Sequence, residues 1–112
     1  MDLSKKDKKA AREIIEKGLQ RELAKGLHDF DGILTKWKSG TTDNGDTYHA
    51  LYKAVKDFDK HIAGRYDAIG GSHYFFVIAG QLLDGTIKEA DLQNLSEEVK
   101  QKLIAYLQMA KE

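Results

Sequence analysis

The apolar residues of this chain recur at helical spacing along most of its length, and in one stretch they occupy nearly every side. That stretch is Ser72 to Asp84, S-H-Y-F-F-V-I-A-G-Q-L-L-D. At about 100° per residue, only the narrow arc of Val77, Gly80 and Gln81 lies outside its apolar sides. Such a helix must be surrounded, and the run is far shorter than the roughly 20 residues that cross a bilayer. We therefore predict a helix at the centre of the fold.

The ends of this segment favour a helix over a buried strand, which is the competing interpretation of a short apolar run. Ser72 suits an N-cap, and Gly85 suits a C-terminal stop. The segments on both sides also carry helical rather than alternating patterns. The helix is therefore the preferred interpretation.

A long amphipathic pattern comes first in the chain. Ser4 is its predicted N-cap, with Asp7 three positions later as in a capping box. Its apolar positions keep one face across both Gly26 and Gly32: Ile15, Leu19, Leu23, Leu27, Phe30, Ile33, Leu34 and Trp37. A helix of about 50 Å exceeds what a domain of this size needs, so we expect a kink near one of the two glycines.

The start of this helix has a different polarity from the rest. The basic residues there fall on the side that later becomes apolar: Lys5, Lys8, Lys9 and Arg12. They cannot pack against a hydrophobic core, so we expect residues 1–12 to project or fray.

A second amphipathic pattern runs from about Thr47 to Asp67, after a polar loop in which Asp43 or Asp46 supplies the cap. Its apolar face contains Tyr48, Leu51, Tyr52, Val55, Phe58, Ile62 and Tyr66. Asp59 falls inside this face. A carboxylate in a packed face needs hydrogen-bond partners, and the tyrosines of the same face are the expected donors.

Two further helices complete the prediction. Thr86 and Glu89 form a capping box that opens a short helix, and another helix begins at Ser96. The predicted fold class is all-α: a single domain over residues 1–112, with four main helices and one short helix arranged around the Ser72 to Asp84 helix.

Composition narrows the range of chemistry. The chain has no cysteine, which excludes disulfides, zinc–thiolate sites and thiol nucleophiles. Its 18 basic and 18 acidic residues balance to zero net charge, which disfavours a dedicated nucleic-acid binder but leaves room for a local basic patch. We find no secretory signal and no membrane-spanning run, so we expect a cytoplasmic location without membrane association.

No arrangement of residues indicates catalysis, a cofactor or a metal. A glycine-framed serine and a phosphate-binding loop are both missing. His28 and His61 lie on outward faces, His61 beside Asp57 at the i, i+4 spacing, whereas metal sites in helix bundles need inward-facing ligands. We therefore expect neither a metal nor a cofactor.

The leading hypothesis is a small non-catalytic protein-interaction or regulatory domain that binds a protein partner or itself. Its interface would lie on the projecting first helix or on the face that carries Ala50, Ala54 and His61, where small side chains allow another helix to approach closely.

Two alternatives stay open. One is nucleic-acid association through the basic residues at the start of the chain, which three lysines of the second helix would extend: Lys5, Lys6, Lys8, Lys9 and Arg12, with Lys53, Lys56 and Lys60. The other is a ligand binder or an enzyme with Asp59, Tyr66 and His73 in one cleft.

Overall fold

The computed structural model describes residues 3–67 and 73–111, and these residues confirm the predicted all-α class. Four α-helices and a short 3-10 helix follow one another along the chain: α1 (Lys5–Lys38), α2 (Asn44–Tyr66), α3 (Tyr74–Leu83), the 3-10 helix (Glu89–Leu92) and α4 (Glu97–Lys111). The described residues contain no β-strand. Helix α1 is continuous through both Gly26 and Gly32, and the kink near either glycine stays a prediction.

Side chains placed before the first two helices act as the predicted caps. The backbone N–H of Asp7 donates to Ser4 Oγ at 3.1 Å, and that of Asp46 donates to Asp43 Oδ1 at 2.7 Å. Each bond satisfies a donor that has no partner within its helix. Because Asp43 rather than Asp46 is the cap, α2 begins at Asn44, three residues earlier than predicted.

The predicted stop after α3 is also confirmed. Gly85 has a φ of +78°, in the left-handed region that glycine adopts without strain. Ser72, the predicted N-cap of this helix, lies outside the described residues. The predicted capping box between Thr86 and Glu89 is wrong, because Asp91 instead accepts the backbone N–H of Lys88 at 2.9 Å.

The contacts of the chain fall into two compact units. The first takes the described residues 3–21 and 73–111, and the second takes residues 22–67. Each unit has its own packing. The prediction of a single domain over residues 1–112 stays a prediction.

The first unit packs the start of α1 with α3, the 3-10 helix and α4. Its buried apolar side chains are Leu3, Ala10, Ala11, Ile14, Ile15, Phe75, Val77, Ile78, Ala79, Leu82, Ile87, Leu92, Leu95, Val99, Leu103 and Leu107. The expectation that residues 1–12 project or fray is wrong for the described positions. Leu3 is 8% exposed and Ala11 is fully buried, because the alanines of this segment, rather than the leucines further on, set its packing side.

Helix α1 meets α3 where a glycine faces a glutamine. Gln81 is fully buried and donates from Nε2 to the carbonyl oxygen of Ile15 at 3.1 Å. A Cβ on Gly18 would lie only 2.1 Å from this Nε2, so any larger residue there would force the buried Gln81 side chain to shift. Val77 is buried as well. The arc of α3 that looked open in the sequence is therefore a packed side.

Another side of α3, which was predicted to be buried, is exposed to solvent. Phe76 is 55% exposed and Leu83 is 42% exposed, so the expectation of a helix enclosed all round is wrong there. The rings of Phe75, Phe76 and Tyr106 meet edge to face, with centroids 5.4 to 5.9 Å apart. This arrangement suits the charge distribution of aromatic rings.

The second unit is an antiparallel helical hairpin of residues 22–38 of α1 and all of α2. Gly26 lies against the ring of Phe58, where a Cβ on the glycine would come within 2.5 Å of the ring. Phe30 meets Phe58 edge to face, with centroids 5.7 Å apart. Near the connecting loop, Trp37 Nε1 donates to Asn44 Oδ1 at 2.7 Å.

Candidate functional site

The most concentrated polar arrangement of the hairpin surrounds Glu22, whose side chain is 8% exposed. Tyr66 donates its hydroxyl to Oε1 at 2.9 Å, Arg65 Nη1 also donates to Oε1, and His61 Nε2 lies 2.9 Å from Oε2. We call these four residues the Glu22 cluster. Both carboxylate oxygens are engaged, so the cluster ties α1 to the end of α2 and its first role is structural.

The Glu22 cluster changes the partner assigned to His61. The sequence pairs His61 with Asp57 on an outer face, but Asp57 instead accepts from Lys53 Nζ at 2.6 Å. The His61 side chain is 49% exposed, and its Nε2 contacts Glu22. Ala54 is half-buried and Ala50 is exposed, so the small-residue face is only partly used within the hairpin.

The acidic residue predicted to be buried on α2 is not buried. Asp59 is exposed, and the hydroxyl of Tyr66, one of its expected donors, serves Glu22. The reason is that α2 turns the side of Phe58 and His61 toward α1, rather than the centre of its apolar face. His73 belongs to the other unit, where it is exposed at the start of α3 and makes no side-chain capping bond.

That turn of α2 leaves a second feature, an exposed apolar surface that we call the hairpin face. It consists of Leu27, Tyr48, Tyr52 and Val55, which are 65%, 68%, 59% and 43% exposed. The three α2 residues form one stripe at i, i+4 and i+7. For side chains of this size, such exposure leaves much apolar area in water.

Helical geometry places these four residues on one side of the hairpin. Leu27 lies about 100° past Gly26, which faces α2, and the α2 stripe lies about 90° past Phe58, which faces α1. Rotations of the same sense in two antiparallel helices lead to the same side of the pair. The hairpin face is therefore continuous across both helices.

The first unit carries an apolar surface of its own, on α3 and α4. Its exposed side chains are Phe76, Leu83, Tyr106 and Met109, of which Met109 is 73% exposed. We call this the aromatic patch. Its rings already contact one another, so part of their surface is covered within the unit.

The first unit also contains a polar groove beside the start of α1, which we call the α1 groove. It consists of two adjoining cavities of about 480 and 370 Å³ that share Ala10, Glu13, Gln93 and Asn94. The basic residues that line it are Lys6, Lys9 and Lys17. Two of the five basic residues singled out from the sequence thus line the groove. Of the others, Lys5 and Arg12 are exposed and Lys8 is half-buried.

Two aspartates at the groove are held by neighbouring groups. Asp7 accepts from the backbone N–H and the hydroxyl of Ser96 at 2.8 and 2.9 Å, and these bonds lower its pKa. Asp91 accepts two bonds from the guanidinium of Arg21 and one from the Lys88 backbone, which hold its pKa far below the usual range. Lys17 also pairs with Asp91 at 3.1 Å.

Sequence reasoning missed Glu22 and Arg65. A signal was present, because Glu22 lies four residues from both Gly18 and Gly26, and these three positions share one helix face. Two glycines on a helix face indicate a close approach by another element, so a carboxylate between them has to be buried there. Arg65 and His61, at the i, i+4 spacing on α2, are donors of the kind that such a carboxylate needs.

Comparison with protein-family models, with curated proteins and with solved structures finds no match for this chain. In the part of the chain that the structure describes, no helix is long and apolar enough to cross a bilayer. The same residues contain no group of three histidine, aspartate or glutamate side chains placed to bind a metal. The surfaces themselves are therefore the basis for a functional proposal.

Proposed function

We propose that this chain is a small protein-interaction domain whose partner at the hairpin face is a second copy of the chain. The observation that carries the proposal is the exposure of four large apolar side chains on one side of a two-helix unit. Two packed helices bury only the apolar side chains that lie between them. The hairpin face lies beside that contact, so a further helix or sheet has to pack on it to bury it. Two such hairpins, face to face, make the four helices of a bundle.

The area of the hairpin face supports this partner. With about 200 Å² for a fully exposed aromatic side chain, the four residues present roughly 400 Å² of apolar surface. A standard interface buries about 800 Å² on each partner, and somewhat more than half of that area is apolar, or roughly 450 Å². The hairpin face thus supplies nearly the apolar area that one side of a standard dimer needs.

The charge balance is also compatible with self-association. The chain has equal numbers of basic and acidic residues and a formal net charge of zero. Identical copies of a highly charged protein repel one another, whereas copies of a neutral chain do not. The apolar face therefore meets no long-range electrostatic barrier when it approaches its counterpart.

Photo-cross-linking of the purified chain tests where the copies meet. Tyr52 is replaced by p-benzoylphenylalanine in one variant, and Phe76 of the aromatic patch in the control; the two side chains are similarly exposed, at 59% and 55%. Irradiation should give a covalent dimer from position 52 and little from position 76. Equal yields from both positions, or no dimer from position 52, would contradict the proposal.

A regulatory role and a cytoplasmic location, both inferred from the sequence, stay predictions. They do not bear on the hairpin face, because the proposal depends on side-chain exposure and not on where the protein resides. Asp59 borders the exposed stripe of α2 and would meet the second copy as a polar group at the edge of the interface.

A further inference from the structure

The junction between α1 and α2 holds the groups for a chemical change of the chain itself. We propose that Asn44 and Gly45 form a self-modification site, at which the asparagine side chain cyclises and loses ammonia, and that Trp37 promotes the reaction. Asparagine is one of the thermally labile residue types. Its lability is greatest before glycine, because no side chain hinders the glycine nitrogen. The inference is independent of self-association.

The nucleophile is the backbone nitrogen of Gly45. Gly45 is the second residue of α2, where a helix offers no acceptor for the N–H. None of the bonds described for this part of the chain uses that N–H, whereas the next one, of Asp46, donates to Asp43 Oδ1 at 2.7 Å. Gly45 is exposed, and the exposed surface of a glycine is that of its backbone. Bases in the solvent can therefore reach this nitrogen, and the positive end of the helix dipole favours the anion that they produce.

The carbonyl group that this nitrogen attacks already accepts a hydrogen bond. Trp37 Nε1 lies 2.7 Å from Asn44 Oδ1. An indole N–H only donates, so the oxygen of the Asn44 amide faces it and not the nitrogen. Negative charge develops on this oxygen during the attack, and a donor that is already in place stabilises the charge. Trp37 is therefore positioned as an oxyanion donor.

The reaction consumes only water, and no atom is oxidised or reduced. The Gly45 nitrogen loses its proton to the solvent and forms a bond to Asn44 Cγ. The bond from Cγ to the side-chain nitrogen then breaks, and that nitrogen takes up a proton and leaves as ammonia. Water opens the resulting succinimide ring at one of its two carbonyl carbons. Attack at Cγ gives aspartate, and attack at the main-chain carbonyl carbon gives isoaspartate.

The two products differ in their effect on α2. Aspartate keeps an oxygen that accepts from Trp37 and adds negative charge at the start of the helix, where the dipole favours it. Isoaspartate moves one methylene group into the main chain, between Asp43 and the Asp46 N–H that it caps. We expect this product to lose the cap, so the modification loosens the start of α2 as the protein ages.

Peptide mass spectrometry of the full-length chain, sampled during incubation at mildly alkaline pH and physiological temperature, tests the proposal. Asn94 is the internal control, because it is exposed like Asn44 but precedes the buried Leu95, whose N–H donates to the Leu92 carbonyl oxygen at 2.9 Å. Exchange of the amide for a carboxyl group should accumulate at position 44 and not at position 94. Chromatography should separate aspartate and isoaspartate forms of the modified peptide.

Two variants separate the roles of the nucleophile and the donor. Gly45→Ala hinders the nitrogen, and the fold tolerates it because an added Cβ would meet only Asp43 Oδ1, at 3.6 Å. Trp37→Phe keeps an aromatic ring, removes the N–H and should slow the reaction of the folded chain by about tenfold. Enclosed oxyanion donors contribute about a hundredfold or more, but Trp37 is 42% exposed and water replaces part of its effect. In urea, where the fold no longer holds Trp37 at Asn44, Trp37→Phe should react as fast as the wild type.

Each comparison can contradict the inference. Equal conversion at Asn44 and Asn94, or none at Asn44 in the folded chain, would exclude the site. An unchanged or faster reaction of folded Trp37→Phe would mean that Trp37 is not an oxyanion donor, and an equal slowing in urea would mean that the effect does not arise from the fold. Circular dichroism verifies that both variants keep the helical content of the wild type.

Discussion

Glu22 is a buried carboxylate whose two oxygens receive hydrogen bonds from Arg65, Tyr66 and His61 on the opposite helix. A buried charge is tolerated only when donors replace the water that it has lost. The cluster has this property, and it links two segments that are about 40 residues apart in the sequence. It therefore fixes the register of the hairpin as well as satisfying the charge.

Glu22→Gln should destabilise the fold by about 2 kcal/mol, because the amide loses the charge and turns an N–H₂ group toward donors. Glu16→Gln is the matched control on the same helix, where the exposed Glu16 accepts only from Gln20 at 3.0 Å among the bonds described. Urea unfolding measures both changes. Similar free energies of unfolding for the two variants would show that the cluster contributes little.

Asp91 makes the free energy of unfolding depend on pH in the acidic range. Its pKa is lowered in the folded state, first by Arg21 and then by the Lys88 backbone. The stabilisation is therefore present above the unfolded pKa of about 3.9 and is lost as the pH falls further. Between about pH 5 and pH 3, the free energy of unfolding should decrease less steeply for Asp91→Asn than for the wild type. Parallel curves would contradict this assignment.

The acidic residues also show what periodicity alone could predict. The helical period placed Asp59 within the apolar face of α2 and so predicted a buried carboxylate there. In the structure, α2 packs against α1 through the side that carries Phe58 and His61, and Asp59 is exposed. The Glu22 cluster was outside the reach of the helical period, because three donors from a distant helix come together only when the pairing of the helices is known. The caps at Ser4 and Asp43 were predicted correctly, since they depend on neighbouring residues alone.

Among the helices, α1 combines two kinds of glycine. Gly18 faces the fully buried Gln81, whereas Gly32 has no atom within 4 Å of an added Cβ. The first glycine allows a close contact between helices, while the second only adds freedom to the unfolded chain. The same substitution should therefore have opposite effects at the two positions.

Gly18→Ala should destabilise the protein by about 1–3 kcal/mol, because the added methyl group would displace the fully buried Gln81 side chain and disturb its bond to the Ile15 carbonyl. Gly32→Ala should stabilise it by about 0.5–1 kcal/mol through helix propensity. Differential scanning calorimetry of the two variants measures the shifts in Tm. A stabilised Gly18→Ala variant would show that α1 and α3 separate easily.

The helices themselves were predictable in type, number and approximate limits, because the 3.6-residue period is a local property of the sequence. Their packing sides were predicted less well. From the spacing of its large apolar residues, α1 was expected to pack through the face that carries Leu27. In the structure Leu27 is exposed, and the buried residues of α1 include Ala11, Gly18 and Gly26. Small residues allow two helices to approach closely, but a pattern of hydrophobic positions is determined mainly by the large apolar residues.

The proposed dimer through the hairpin face is a property of the whole molecule. Association of two copies would stabilise the folded chain by mass action, so its stability should rise with protein concentration. The mass of the protein in solution therefore decides whether the hairpin face is a dimer interface.

Sedimentation equilibrium over a range of concentrations measures that mass directly. The wild-type chain of 12.6 kDa should approach twice this mass as the concentration rises. The variant Tyr52→Ser/Val55→Ser changes only exposed side chains and should remain at the monomer mass. A wild-type mass of 12.6 kDa at every concentration, or a double variant that dimerises as well as the wild type, would contradict self-association through the hairpin face.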